Sequence, residues 1–193
     1  MLGSIDNIIF LVSLSGFIHF TEASCPNIIS RSSWGAVPAK SRQNLSQNPP
    51  PYVVVHHSET PACQTTEKCK QRIKNIQYDH MTNRNWQDIG YNFLIGGDGN
   101  IYEGRGWGTH GSHVPKYNRR SIGICLIGDF TRNPPPSVQL TALNDLISCA
   151  SDTNNIRSDY HLIGHRQGRE TDCPGDALFE EVKRMPHWEA HPN

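Results

Sequence analysis

Two adjacent histidines, His56 and His57, end the β-branched run Tyr52-Val53-Val54-Val55; a third, His165, follows the apolar stretch 160–164, and Cys173 comes shortly after it, just before Pro174-Gly175. Two imidazoles and one thiolate make an open three-ligand set for zinc (Zn2+), which leaves a fourth position for water. Such an ion makes water nucleophilic near neutral pH and polarises a carbonyl, so hydrolysis of an amide becomes feasible. Side chains alternate along an extended strand, so His56 and His57 cannot both face one site, and one of them is expected to bind metal. From spacing alone, strand-end histidines are more often hydrogen-bonded core or surface residues than ligands.

The elements that must hold these residues are readable in outline. Residues 52–57 read as a strand buried on both faces and ending in the histidines. Residues 38–51 run from Pro38 to a triple proline, which neither a helix nor a central strand continues, so a surface loop is expected there. From Thr65 to about Thr82, Ile73, Ile76 and the stem of His80 recur at helical spacing, the pattern of a helix lying on a sheet. Residues 90–95 and 100–103 flank Gly96-Gly97-Asp98-Gly99, which predicts a hairpin, with Tyr91 in its first strand. Residues 121–128 read as another buried strand, Leu140, Leu143 and Ile147 as one stripe of a helix, 160–164 as a short strand, and 176–184 as a last helix stopped by Pro186. Strands alternating with helices predict an α/β fold, a mixed central β-sheet flanked by about three helices in a single domain.

The bulk composition narrows the partners. With 18 basic and 18 acidic residues the formal net charge is zero, so there is no electrostatic footprint for nucleic acid or anionic lipid. Residues 8–20 are mostly apolar but short of the ~20 that cross a bilayer, which reads as the core of a signal peptide over residues 1–24. Cleavage is expected after Ala23 or Ser24, although the leader carries Asp6 and no Lys or Arg; a membrane anchor is the competing reading. The remaining chain, 25–193, is then a secreted domain. All six cysteines lie in it, where an oxidising compartment permits disulfides. Composition leaves their pairing open. Asn44-Leu45-Ser46 is a possible glycan acceptor.

Several segments together resemble one family. Val53-Val54-Val55-His56-His57-Ser58, Asp88-Ile89-Gly90-Tyr91-Asn92-Phe93, Tyr102-Glu103-Gly104-Arg105-Gly106-Trp107, Ser121-Ile122-Gly123-Ile124, Gly164-His165-Arg166 and Thr171-Asp172-Cys173-Pro174-Gly175 look like the peptidoglycan recognition protein family, which is related to phage-type N-acetylmuramoyl-L-alanine amidases. The likeness covers roughly residues 27–188, with the motifs in the family's order. It implies a zinc amidase of innate immunity that hydrolyses the lactyl amide between N-acetylmuramic acid and L-alanine of bacterial peptidoglycan. The implied metal ligands are His56, His165 and Cys173, and the implied assisting residues are Tyr91 and Thr171. Members that only recognise peptidoglycan commonly lack one ligand, so the intact set favours catalysis over a non-catalytic receptor.

The resemblance also implies a groove lined by His57, His80, Tyr91, His113 and Asn118. Its stem-peptide preference is associated with the positions of Asn85, Trp86 and Arg105. The pair Asn85-Trp86 is a hybrid of the two patterns known in the family, and Arg105 tips the expectation towards muropeptides containing diaminopimelate, since a guanidinium can bind the extra carboxylate in bidentate fashion. Disulfides are implied between Cys63 and Cys69 and between Cys25 and Cys149. Cys125, alternating with isoleucines, reads as a small buried hydrophobe. A Cys125–Cys173 bridge that would abolish the metal site is the alternative. A nucleotide-binding reading of Gly104, Gly106 and Gly108 is set aside, because they lack the GxGxxG spacing and the following helix. His110, His161, His187 and His191 receive no role.

Overall fold

The computed structural model describes residues 25–193; the leader expected over 1–24 lies outside the described residues. A six-stranded mixed sheet forms the centre. Its strands are β1 (Ile28–Ile29), β2 (Tyr52–His57), β3 (Phe93–Ile95), β4 (Ile101–Glu103), β5 (Ser121–Leu126) and β6 (His161–Gly164), arranged in the order β1-β4-β3-β5-β2-β6. All pairings are parallel except the β3–β4 hairpin. Among the described residues, four α-helices flank the sheet: α1 (Arg31–Trp34), α2 (Thr66–Tyr78), α3 (Ser137–Asp152) and α4 (Asp176–Val182).

The alternation of side chains along β2 divides the interior in two. Val53 and Val55 join Phe93, Ile95, Ile122, Ile124 and Leu126 beneath α3 and α4, whose Leu143, Leu146, Leu178 and Val182 are fully buried. Tyr52 and Val54 point to the opposite face, against Val114, Tyr117 and Ile163. Further along that face, Leu94, Tyr102 and Cys125 pack on Trp34 of α1 and on Ile73 and Ile76 of α2. Both faces are covered, as parallel strands require, and every residue of β2 and β5 is buried.

The observed elements depart from the expected ones at their ends. The first hairpin strand begins at Phe93, so Tyr91 precedes it instead of lying within it. The turn is made differently as well: among residues 96–99 only Gly99 has a positive φ, +78°, whereas Gly97 is needed for space, since a Cβ there would sit 2.4 Å from the Cys63 carbonyl oxygen. The helix at 65–82 runs as α-helix to Tyr78 and finishes as a π-helical turn, Asp79–Asn83. Strand β5 stops at Leu126 and helix α4 at Val182, both short of expectation. The short β1 and α1 were not anticipated. Two disulfides, Cys63–Cys69 at the head of α2 and Cys25–Cys149 tying the first described residue to α3, leave Cys125 and Cys173 as free thiols. No Cys125–Cys173 bridge forms.

Candidate metal centre and its cleft

Strands β2 and β6 run parallel, with Val55 opposite Gly164, and the chain continues past that pair into His56 on one strand and His165 beyond the other. The two rings face each other with centroids 4.5 Å apart. This is the carboxyl end of the parallel strands, where open α/β sheets place their ligands. Gly164 permits the approach of the following loop, because a Cβ there would meet the Phe179 ring at 2.8 Å and Pro174 at 3.3 Å. The loop at 171–175 is stapled by Arg166, which bonds Asp176 through its side chain (2.6 Å), the Asp172 carbonyl, and, through its backbone N–H, the Cys173 carbonyl (3.0 Å). Gly175, at φ +88°, lies so close to Phe130 that no side chain fits. These constraints bring the Cys173 sulfur to 3.7 Å from His56 Nδ1.

Among the described residues, His56, His165 and Cys173 form the one group of metal-ligating side chains whose donor atoms all lie within 4.8 Å of one another. The residues fit a zinc ion on three counts. Zinc bonded to nitrogen at ~2.0–2.1 Å and sulfur at ~2.3 Å in a tetrahedron separates the two donors by about 3.6 Å, and Nδ1 of His56 and Sγ of Cys173 stand close to that. Among the described residues, both ring nitrogens of His165 are buried without a hydrogen-bond partner, an orphaned state that a cation relieves. Burial pushes the Cys173 thiol up to about 12, so its sulfur becomes a thiolate only with a cation against it. Burial also holds His165 down to about 4 and His56 well below its usual range, so both imidazoles are neutral and able to ligate at pH 7.

A cleft of about 440 Å³ opens over these donors, lined on one side by His57, Tyr91, His165, Thr171 and Cys173 and on the other by Arg72, Asn75, Asp79, His80 and Arg84. Tyr91 reaches across His56, ring centroids 5.2 Å apart, and burial raises its phenol well above the usual range. It therefore stays a proton donor at any physiological pH. Thr171 accepts a bond from the Cys173 backbone N–H through its hydroxyl oxygen (3.3 Å). His57 sits on the other side of β2 from His56, as the strand alternation requires; its Nδ1 accepts from the Phe130 N–H at 3.2 Å, and it still borders the cleft because it ends the strand. His80 accepts from the Gly90 N–H at 2.9 Å and packs against Trp86, centroids 4.6 Å apart.

The other residues expected in the groove are placed differently. His113 is buried behind His56, its Nδ1 3.0 Å from His56 Nε2, and is not among the side chains lining the cleft. Asn118 spends its side-chain oxygen on the N–H groups of His113 and Val114. Asn85, at φ +53°, bonds Lys40 and lines a separate depression on the far side of α2. Trp86 packs between His80 and the Arg84 guanidinium, which lies 5.4 Å over its ring. Arg105 is 6% exposed, and it donates to the Ile89 carbonyl (2.7 Å), the His110 carbonyl (2.7 Å) and the Ser112 hydroxyl (2.8 Å). Most of its fork is thus spent inside the protein.

Sequence reasoning passed over two residues within its own motifs. Asn92 is fully buried, donates to the Gly106 and Thr109 carbonyls and accepts from the Gly123 N–H, so it fixes the 104–110 loop to β5. Asp88 accepts from the Arg31 and Gln77 side chains and from the Ile89 N–H, clamping α1 and α2 together directly before Tyr91. A charged or amide residue inside an otherwise apolar motif was the available signal for both.

The family model of N-acetylmuramoyl-L-alanine amidase matches residues 46–176. Peptidoglycan-recognition protein LB of Drosophila melanogaster is 44% identical over 186 residues, covering 92% of this chain and 80% of that protein. A human protein named N-acetylmuramoyl-L-alanine amidase is 42% identical over 177 residues, 89% of this chain and 31% of the human one. In three dimensions, the structure of Drosophila PGRP-LB superposes with a TM-score of 0.84 at 46% identity, covering 87% of this chain and 98% of that one. Peptidoglycan recognition protein LE, solved in complex with tracheal cytotoxin, a monomeric diaminopimelic acid-type peptidoglycan, superposes with a TM-score of 0.82 at 41% identity, over 84% and 95% of the two chains. Matching motifs, the same sheet and the same span place this chain in the N-acetylmuramoyl-L-alanine amidase family, among the peptidoglycan recognition proteins.

Proposed function

We propose that this chain is a secreted zinc amidase that cleaves the lactyl amide between N-acetylmuramic acid and L-alanine in bacterial peptidoglycan. The observation that carries the reading is the convergence of His56, His165 and Cys173, the last two lining the cleft and His56 buried beside them, with His165 otherwise unpartnered among the described residues. Zinc, when bound by these three, supplies Lewis-acid charge that polarises an amide carbonyl and makes water nucleophilic near neutral pH. The chain's own residues supply the rest. Tyr91, kept protonated by burial, donates a hydrogen bond to the oxygen that gains charge as the amide carbon becomes tetrahedral. Thr171, at the lip, orients Cys173 through its backbone and is within the same lining for substrate contact. His57 and His80, both neutral through burial, bracket the cleft and offer imidazole nitrogens to the glycan and stem peptide.

The preferred substrates are muropeptides of the diaminopimelate type. Support comes from relatives whose complexes hold tracheal cytotoxin; Arg105, enclosed by the Ile89, Asp88 and His110 carbonyls and the Ser112 hydroxyl, adds none. Equal cleavage of diaminopimelate and lysine muropeptides by the wild type would remove that preference. Export is read from the leader at 1–24, and a mature N-terminus near Cys25 on the secreted product is the expected result. For the amidase itself, the test is zinc stoichiometry alongside mass spectrometry of a muropeptide digest: near-equimolar zinc and free stem peptide are expected. Intact muropeptide, with zinc bound, would leave only a recognition protein.

A further inference from the structure

We propose that Ser121, acting through His113, fixes the ring tautomer of His56, so that the nitrogen which His56 turns to the Cys173 sulfur carries no proton. The proposal builds on the reading of His56 as a metal ligand. Its starting point is a backbone carbonyl. The oxygen of Tyr117 can only accept, and the buried Ser121 hydroxyl lies 2.8 Å from it, so the single hydroxyl proton is spent there. What Ser121 has left is a lone pair. It faces His113 Nε2 at 3.4 Å, so that nitrogen is the one bearing the proton.

A neutral imidazole has one N–H, so His113 Nδ1 is bare and accepts from its neighbour at 3.0 Å, His56 Nε2. The proton of His56 is thereby held on Nε2. Its Nδ1, 3.7 Å from the Cys173 sulfur, is left with an open lone pair on the side of that sulfur. Reversing the chain would force the Ser121 hydroxyl to abandon the shorter bond for the longer one. It would also put a proton on the very atom that has to ligate.

The position of His113 is built into the fold. A Cβ at Gly111 would lie 2.3 Å from the His113 ring, and one at Gly123 would lie 2.6 Å from it, yet neither glycine has a left-handed φ. Their missing side chains are the slot for the ring. The backbone of His113 is pinned as well, its N–H donating to Asn118 Oδ1 at 2.7 Å. Metal-ligating histidines are usually oriented by a carboxylate or carbonyl on their second nitrogen. Here the partner is another imidazole, whose polarity is set by a carbonyl two bonds further on.

The test reads the rings directly. Long-range 1H–15N correlation spectra of the zinc-free wild type at pH 7 should show both His56 and His113 as Nε2–H tautomers. In Ser121→Ala, His56 should become a tautomer mixture, and zinc affinity by chelator competition should fall roughly 10–100-fold, the usual cost of losing an outer-shell partner. Finding the His56 proton on Nδ1 in the zinc-free wild type would overturn the proposal, even if the variant fails to fold. So would a folded Ser121→Ala with unchanged zinc affinity. An Nε2–H tautomer at His56 in a protein that takes up no zinc would uphold the tautomer assignment while sinking the amidase reading.

Discussion

The two walls of the cleft are made of opposite materials. On the sheet side, His165, Cys173 and Tyr91, with His56 buried against them, are all driven by burial towards their uncharged forms. On the helix side, α2 and its π-helical extension present Arg72, Asn75, Asp79 and Arg84, with the Asp79 carboxyl held below its usual range by the Asn83 and Arg84 side chains. A dehydrated neutral wall amplifies any charge that enters it, because the local dielectric is low. That suits a cation and a developing oxyanion. A solvated charged wall holds a ligand loosely and reads its sign. The division assigns chemistry to the strand ends and recognition to the helix.

Substitutions on the sheet wall should therefore affect turnover, and the largest effect is expected at Cys173. Cys173→Ala removes the thiolate and should lower zinc stoichiometry to near zero and stem-peptide release below detection, while muropeptide binding by calorimetry persists. Full turnover by a rigorously zinc-free variant would sink the division. Tyr91→Phe keeps the ring against His56 and deletes only the hydroxyl. Loss of one oxyanion donor costs about 10²–10³ in kcat, with KM changed by less than ~3-fold if the phenol acts after binding. A variant in which KM rises and kcat stays put would move Tyr91 to the recognition side.

The sheet wall was far more legible in the sequence than the helix wall, for a physical reason. Strands β2 and β5 are buried along their whole length, so their composition is almost forced, and the histidines at the end of β2 interrupt an apolar run. Residue type and position suggested a metal there, although choosing His56 over His57 took the family motifs. The short β1 and α1 carry no such pattern. They persist through tertiary bonds, such as Trp34 Nε1 to the Glu103 carbonyl at 2.8 Å and the pairing of Ile28 with Ile101. The role of His113 was equally invisible, because its slot is assembled from Gly111, Ser121 and Gly123. Asn85 and Arg105 illustrate the converse: their types suit a ligand, but Lys40 and the carbonyls of Ile89 and His110 claim them.

Where the walls meet, His80 gives an effect of intermediate size. Burial lowers its pKa to about 4 from 6.5 in an unfolded chain, so the folded state refuses a proton that the unfolded state accepts. Stability is then constant above about pH 6.5 and falls as pH drops towards 4. A shift of that size corresponds to roughly 3 kcal/mol. Urea titrations across this range should show the loss, and His80→Gln should flatten it by a similar amount. An identical acid slope in the variant would place the sensitivity on other buried histidines.

The smallest expected effect tests the helix wall. Arg72 lines the cleft and has no salt-bridge partner among the described residues, whereas Arg84 is paired with Asp79 at 2.8 Å. A partly exposed charge facing a solvated carboxylate contributes about as little as a surface pair, ~0.2–1 kcal/mol, so Arg72→Ala should weaken the binding of an anionic muropeptide by about 1.5- to 5-fold and leave kcat alone. Raising the salt should shrink the difference, since the Debye length falls to ~3 Å at 1 M. The same substitution should matter less for a muropeptide whose stem carboxylates are amidated. If instead Arg72→Ala depressed kcat and spared affinity, the helix wall would belong to the reaction, and the separation between the two sides would fail.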